Sequence, residues 1–153
     1  MYKFPSARYT PAALFYIIVY MRGSSKPTIY LIDGLNFIRT FLTGNAYVNE
    51  ENLTSELISW LDELGSGRLY GSEFRLFLDG SFRNVGPIST PCVHASFTEE
   101  YTADDIILEQ AEFYKQYSQR AVVVTSDREL AERVRAVGIK SISCSKFFNA
   151  FYN

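Results

Sequence analysis

The sequence predicts one α/β domain built around a mostly parallel central sheet of about five strands. Short runs rich in β-branched and aromatic residues alternate with segments whose apolar residues recur at helical spacing. Strands that alternate with helices form right-handed βαβ units, and these place the strands parallel to one another. The length of 153 residues suits one domain, and a hydrophobic fraction of 47% is enough to bury a core.

The first half of the domain contains two predicted strands and two predicted helices. Residues 28–32 are apolar throughout, as expected of a central strand buried on both faces of the sheet. Residues 35–43 form a short helix. Residues 50–64 form a stronger one, because leucines recur on one face and Gly65 then ends it. Residues 73–78 are the second strand.

The second half continues the alternation after a loop at residues 81–91. Residues 93–97 predict a short third strand, and Thr102 is expected to cap a helix that runs to about residue 117. Residues 121–124 are the clearest buried strand. The remaining predicted elements are a helix at 128–137, a fifth strand at 140–144 and helical turns at 146–151.

The predicted domain spans residues 27–153, and residues 1–26 form an N-terminal extension whose status the sequence leaves open. Its apolar run at residues 12–20 is shorter than the ~20 residues that a membrane helix needs, so no membrane span is expected. The extension is an extra element packed on the domain, or Met21 is the natural start, or the run belongs to a signal peptide. The signal peptide ranks third because no small-residue cleavage site follows the run.

The overall charge and the cysteine content exclude some classes of protein. A net charge of −2 and a pI of about 5.4 argue against a general nucleic-acid coat protein, which would be basic, but they leave a nuclease open. The two cysteines and single histidine show no zinc-ligand spacing. We expect Cys92 and Cys144 to be free thiols in a cytoplasmic protein, and His94 to be structural.

Aspartates follow three of the predicted strands and open one of the predicted helices. Asp33, Asp79 and Asp127 stand at strand ends, and Asp104 stands at the start of a helix. In open α/β sheets, ligands bind at the carboxyl ends of the strands. Each acid alone has a structural explanation as a turn residue, a helix cap or a partner of the helix dipole. Together they predict a cluster of carboxylates at one edge.

Such a cluster suits metal-dependent hydrolysis of phosphodiesters. Mg²⁺ and Mn²⁺ prefer oxygen ligands and keep several waters. Bound metal can activate a water and stabilise the leaving oxygen, so no histidine or cysteine base is required. Other α/β enzymes fit less well: no GxGxxG and no P-loop are present, and an aspartyl phosphatase would need an acid at Leu35.

Three motifs resemble those of one nuclease family. Residues 31–36 (Leu-Ile-Asp-Gly-Leu-Asn) resemble the Asp-Gly-x-Asn opening of NYN-domain proteins, in particular the YacP-like branch of the PIN-like nucleases. Residues 102–105 (Thr-Ala-Asp-Asp) and 124–127 (Val-Thr-Ser-Asp) are similar to two later motifs of that branch. The order and spacing agree over about residues 28–148. The sequence departs from the branch at Leu35, where an aromatic residue is usual.

The resemblance implies a fold, an activity and a substrate. The fold would be a PIN-like three-layer sandwich with strand order 3-2-1-4-5. The activity would be that of a metal-dependent ribonuclease using Mg²⁺ or Mn²⁺. We expect an endoribonuclease that acts on single-stranded RNA or on RNA associated with the ribosome, as in some members of the branch. Two alternatives remain open: a catalytically inactive PIN-like module that binds RNA or protein, and the PIN-domain toxin of a toxin–antitoxin pair.

The expected site follows from the matching positions and from the charges near them. Carried over by the resemblance, the catalytic residues would be Asp33, Asp104 and Asp127. The same three would bind metal together with Asp79 and Asp105. Asn36 would orient Asp33 or contact substrate, and the hydroxyls of Thr125 and Ser126 would hold a carboxylate or a phosphate of the substrate. Arg83 and Arg128 are the preferred phosphate contacts, ahead of Arg39 and Lys146. The candidates for stacking on an unpaired base are Phe37, Phe82 and Tyr101.

Overall fold

A parallel sheet of five strands forms the centre of the computed structural model, which describes residues 26–41 and 50–152. Its strand order, β3-β2-β1-β4-β5, confirms the predicted order. The strands are β1 (Ile29–Asp33), β2 (Glu73–Leu78), β3 (Val93–Phe97), β4 (Ala121–Val124) and β5 (Lys140–Ile142). The helices are α1 (Gly34–Phe41), α2 (Glu50–Ser66), α3 (Ala103–Gln116), α4 (Arg128–Ala136) and α5 (Cys144–Phe151).

The sheet reverses its order at β1, which pairs with β2 on one side and with β4 on the other. Ile29 is in register with Glu73 of β2 and with Ala121 of β4. All named strand pairs in the described part of the chain are parallel. A reversal of this kind opens a crevice beyond the carboxyl ends of the strands, where ligands bind in such folds.

Helices cover both faces of the sheet, which confirms the three-layer arrangement. Alternate residues of β1 face opposite ways, so Tyr30 and Ile32 contact one apolar core and Ile29 and Leu31 contact the other. The first core packs against α1, α2 and α5, and the second against α3 and α4. Burial on both faces explains why β4 is apolar throughout and why β1 is apolar up to Ile32, before it ends at Asp33.

Several predicted boundaries differ from the structure by one or two residues, and two of the differences have a clear local cause. The strand predicted at 140–144 ends at Ile142, because the Ser143 hydroxyl accepts a hydrogen bond from the Lys146 N–H and starts α5 at Cys144. Helix α2 does not stop before Gly65 but continues through it to Ser66. A Cβ at Gly65 would lie 2.5 Å from the Cβ of Cys92, so this glycine permits close packing of a helix on a loop.

Some expectations fall outside the described residues. These are the N-terminal extension up to residue 25 and the last two residues of the helix predicted at 35–43. None of the helices described by the structure combines the length and the apolar character needed to cross a bilayer.

Candidate active site

An acidic cavity of about 260 Å³ opens at the carboxyl edge of the sheet, between the ends of β1 and β2 and the beginnings of α3 and α4. The topology alone accounts for this meeting, because residues that are far apart in sequence follow neighbouring parallel strands. Four of the predicted metal ligands line this cavity together. The lining residues are Asp33, Leu35, Asn36, Arg39, Asp79, Thr102, Ala103, Asp104 and Asp127.

Asp33 is the most buried of the four acids, with 6% of its surface exposed. Its Oδ1 accepts a hydrogen bond from the Asn36 N–H at 3.2 Å, and its Oδ2 accepts one from the Thr125 hydroxyl at 3.4 Å. Burial raises the pKa of Asp33 from 3.8 to about 6, and the charges of Asp104 and Asp79 add to the effect although the hydrogen bonds oppose it. The charged form of Asp33 is therefore costly at this position.

Asp104 lies in the first turn of α3, where the Thr102 hydroxyl caps the helix by accepting from the Asp105 N–H at 3.2 Å. Partial burial raises the pKa of Asp104, and the negative charges of Asp127 and Asp79 raise it further. The carboxylates are thus close enough to repel one another.

Asp79 and Asp127 cap helices in addition to lining the acidic cavity. Asp127 Oδ1 accepts from the N–H groups of Glu129 and Leu130 at the start of α4, at 2.9 and 3.2 Å. Asp79 Oδ1 accepts from the Ala103 N–H at 2.9 Å. Each carboxylate uses one oxygen in this way, and no hydrogen bond within the described residues engages the other. The structural and functional explanations of these two acids are therefore compatible.

Asn36 and Thr125 hold the two halves of the acidic cavity together. Asn36 Oδ1 accepts from the Ser126 N–H at 2.7 Å, which joins α1 to the loop after β4. The Thr125 hydroxyl donates to Asp33 and accepts from the Asp127 N–H at 3.1 Å. Ser126 Oγ accepts from the Cys144 N–H at 3.1 Å. All three residues thus have scaffold roles, and Thr125 holds the Asp33 carboxylate, which is one of the two roles expected of its hydroxyl.

Cys144 is a member of the site that sequence reasoning missed, because it was predicted to lie in a strand. It is fully buried, and its thiol lies 3.5 Å from Asn36 Oδ1. Burial raises the pKa of this thiol to about 11, so it is a neutral packing group. Both cysteines are free, as expected.

Other predicted site residues lie outside the acidic cavity. Asp105 is exposed and pairs with Arg133 at 3.2 Å. Arg83 pairs with Glu50 and lies over the Phe97 ring, so it fastens the loop after β2. Arg128 lines a second cavity, and His94 is exposed on the edge strand β3. Phe37 is fully buried in the core, so its predicted stacking role is wrong.

The donor set of the acidic cavity is made of oxygen atoms alone. Within residues 26–41 and 50–152, no three acidic, histidine or cysteine side chains are grouped closely enough to hold a metal ion by themselves. The set fits a cation that keeps part of its water shell, which is how Mg²⁺ is commonly bound. The raised pKa values of Asp33 and Asp104 fit it as well, because a cation would offset their mutual repulsion.

Comparisons with known proteins agree with this fold. A structure of Rae1 (YacP) from Bacillus subtilis superposes with a TM-score of 0.65 at 21% identity, covering 83% of this chain and 74% of that one. A single-residue mutant of Rae1 gives the same TM-score and identity, with 82% and 75% covered. No curated protein sequence matches significantly. Residues 30–153 match the model of the YacP-like NYN domain, and the chain belongs to this family.

Proposed function

We propose that this protein is a metal-dependent ribonuclease that hydrolyses internal phosphodiester bonds of single-stranded RNA. The observation that carries the proposal is the meeting of Asp33, Asp79, Asp104 and Asp127 around one cavity. Helix capping uses only one oxygen each of Asp79 and Asp127, and four like charges at one place repel one another. Membership of the YacP-like NYN family supports the same class of activity.

The acids have different roles in the proposed activity. A bound Mg²⁺ or Mn²⁺ would supply activation of water and stabilisation of the leaving oxygen. Asp33, Asp104 and Asp127 would hold it together with waters of its own shell, and Asp79 would complete the negative cavity. Asp105 is left out of this set because its carboxylate faces Arg133. Thr125 and Asn36 fix the positions of Asp33 and Asp127 relative to each other.

Two exposed aromatic residues close in sequence to the acids of the cavity favour an unpaired strand as substrate. Phe82 is 68% exposed and lies three residues after Asp79, and Tyr101 is 72% exposed and lies three residues before Asp104. Their loops are tied together, since the Glu99 N–H donates to Gly80 O and the Phe82 N–H donates to the Glu99 carboxylate. Rings held in this way can stack on splayed bases.

The test is cleavage of a labelled single-stranded RNA in the presence of Mg²⁺ or Mn²⁺, with ribosome-bound RNA as a second substrate. We expect Asp104→Asn and Asp127→Asn to lower the cleavage rate by about 100-fold or more, because each removes a charged ligand and keeps the shape of the side chain. Glu109→Gln is the control, because it removes an acid from the exposed face of α3. Circular dichroism checks that each variant is folded.

Two outcomes would contradict the proposal. Binding of RNA without cleavage by the wild type, on either substrate, would favour the inactive binding module. Cleavage that survives both aspartate substitutions would place the catalytic residues elsewhere. Growth arrest on expression, relieved by a co-expressed neighbouring gene, would assign the same chemistry to a toxin.

A further inference from the structure

A second polar cavity of about 270 Å³ lies next to the acidic cavity. It is enclosed by α4, β5 and the loops that follow β4 and β5. Asp127 lines both cavities, so they are neighbours along the edge of the sheet. The residues that line the second cavity are Thr125, Ser126, Asp127, Arg128, Ala131, Arg135, Ser141 and Ser143.

Two arginines with free hydrogen-bond donors face this second cavity. Arg128, Ala131 and Arg135 follow one another at helical spacing on one face of α4. Arg135 Nε donates to Ala131 O at 3.1 Å, which leaves its terminal NH₂ groups for another acceptor. Neither arginine pairs with a carboxylate in the described part of the chain. By contrast, such ion pairs do hold Arg75, Arg83 and Arg133.

Two serine hydroxyls in the second cavity have a proton available to donate. Ser126 Oγ accepts from the Cys144 N–H at 3.1 Å, and Ser143 Oγ accepts from the Lys146 N–H at 3.2 Å. A hydroxyl that already accepts from a backbone N–H still has its own proton to donate. Asp127 is the one acid in the lining, and two backbone N–H groups already bind its Oδ1. The second cavity therefore combines two positive charges with several donors.

We infer that the second cavity binds a phosphodiester group of the RNA strand, one that flanks the bond to be cleaved. The inference rests on the proposed function, since it takes the scissile phosphodiester to lie in the acidic cavity. Arginine forks and hydroxyl groups are the donors that nucleic-acid backbones meet most often in proteins. A flanking phosphate held beside Asp127 would keep the RNA strand across the acidic cavity, although the negative charge of that cavity repels the strand.

The first experiment compares Arg135→Gln with Arg133→Gln. The two arginines lie two residues apart on α4, but Arg133 pairs with Asp105 outside the second cavity. Binding of a fluorescein-labelled single-stranded RNA is measured by anisotropy over a range of KCl concentrations without divalent cations. For Arg135→Gln we expect binding about 10-fold weaker and a salt slope reduced by about 0.7, the value for one lost phosphate contact. Arg133→Gln should stay within about twofold of the wild type.

The second experiment places a single neutral methylphosphonate at each linkage near the cleavage site. At one linkage beside that site, the methylphosphonate should weaken RNA binding by the wild type. The same RNA should bind to Arg135→Gln no more weakly than the unmodified RNA does. The same RNA is compared with and without a 5′-monophosphate, because a terminal phosphate has similar chemistry. We expect the 5′-phosphate to make no difference.

Three results would overturn the inference. Equal losses for the two arginine variants would show a general effect of charge. A wild type that responds to the 5′-phosphate and to no internal linkage would make this a site for strand ends. A wild type that neither binds nor cuts RNA would overturn the proposed function as well. Normal cleavage by the wild type, with equal RNA binding by Arg135→Gln and Arg133→Gln, would overturn this inference alone.

Discussion

Asp33 sits at the end of a central strand with almost no access to water, and the other acids around it are also negative. Its two hydrogen bonds offset part of the cost of burying the charge, but its pKa still rises to about 6. Groups of this kind are typical of functional sites, where local stability is given up for chemistry. A buried acid at this position is thus consistent with the proposed metal-binding role, and its raised pKa shows that its charge does not favour folding.

Replacing Asp33 by Asn should therefore stabilise the protein when no divalent cation is present. Because the folded-state pKa lies above the unfolded value of 3.8, the folded protein binds more protons between about pH 4 and 6. Stability of the wild type then falls as the pH rises through this window. At pH 7 we expect Asp33→Asn to raise the free energy of unfolding by about 1–3 kcal/mol, and this part of the pH slope should disappear.

Urea unfolding between pH 4 and 8 in the presence of EDTA measures this effect. Asp105→Asn is the matched control, because the pKa of Asp105 is lowered by its hydrogen bonds with Thr102 and Arg133 and no gain is expected. A loss of stability for Asp33→Asn at pH 7, or an unchanged slope, would show that the buried charge is compensated in the folded state.

At the scale of elements, the junction between β1 and α1 decides where Asp33 points. The pair Asp33-Gly34 could have been a turn by its composition, but the helix begins directly at Gly34. A Cβ at this position would lie 2.7 Å from Leu78 Cδ2 and 2.8 Å from Phe77 O. Glycine is needed here because α1 starts in contact with the backbone of β2.

This contact predicts an unusual sign for Gly34→Ala. In a helix, Gly→Ala ordinarily stabilises by about 1 kcal/mol. Here the methyl group meets a backbone oxygen that cannot rotate away, so we expect a loss of about 1–3 kcal/mol in urea unfolding. Gly67→Ala, whose Cβ would meet one oxygen at 3.1 Å, should change stability much less. A Gly34→Ala protein as stable as the wild type would mean that α1 can shift away from β2.

The elements also show how far the sequence predicts the structure. The strands at 73–78 and 121–124 were predicted with their observed bounds. Every residue of 121–124 is apolar and buried, and four of the six residues of 73–78 are buried, which leaves little choice of side chain at those positions. The end of β5 was missed because Ser143 can continue a strand or cap a helix, and the contact that decides is made with Lys146. Gly65 was misinterpreted because its role depends on Cys92, which is distant in sequence.

At the scale of the whole molecule, the acidic cavity could be predicted and the second cavity could not. Asp33, Asp79 and Asp127 follow strands, so the strand order alone brings them to one edge. Arg135 and Ser141 reach the second cavity from a helix face and from an edge strand, and their meeting depends on how α4 packs on β5. Neither residue belongs to a motif of the sequence.

The cluster of acids predicts a stabilising effect of divalent cations that requires no catalysis. At a concentration of Mg²⁺ about 100-fold above its Kd, binding to the folded state alone would add about 2.7 kcal/mol, or several degrees in Tm. Thermal unfolding with MgCl₂ should show this shift, and NaCl at equal ionic strength should not. In Asp104→Asn the shift should largely disappear. An equal shift in the variant would mean that the cation binds elsewhere.

The pairing of β1 with β4 determines what would happen if the chain were cut into two fragments. Asp33 and Asp79 lie before the exposed residue Glu99, and Asp104 and Asp127 lie after it. A break there would leave β3, β2 and β1 in one fragment and β4 and β5 in the other, joined by the ladder from Ile29 to Ile32. Each fragment would carry two of the four acids, so neither could form the acidic cavity alone. The reassembly of the two pieces would itself be the switch that completes the site.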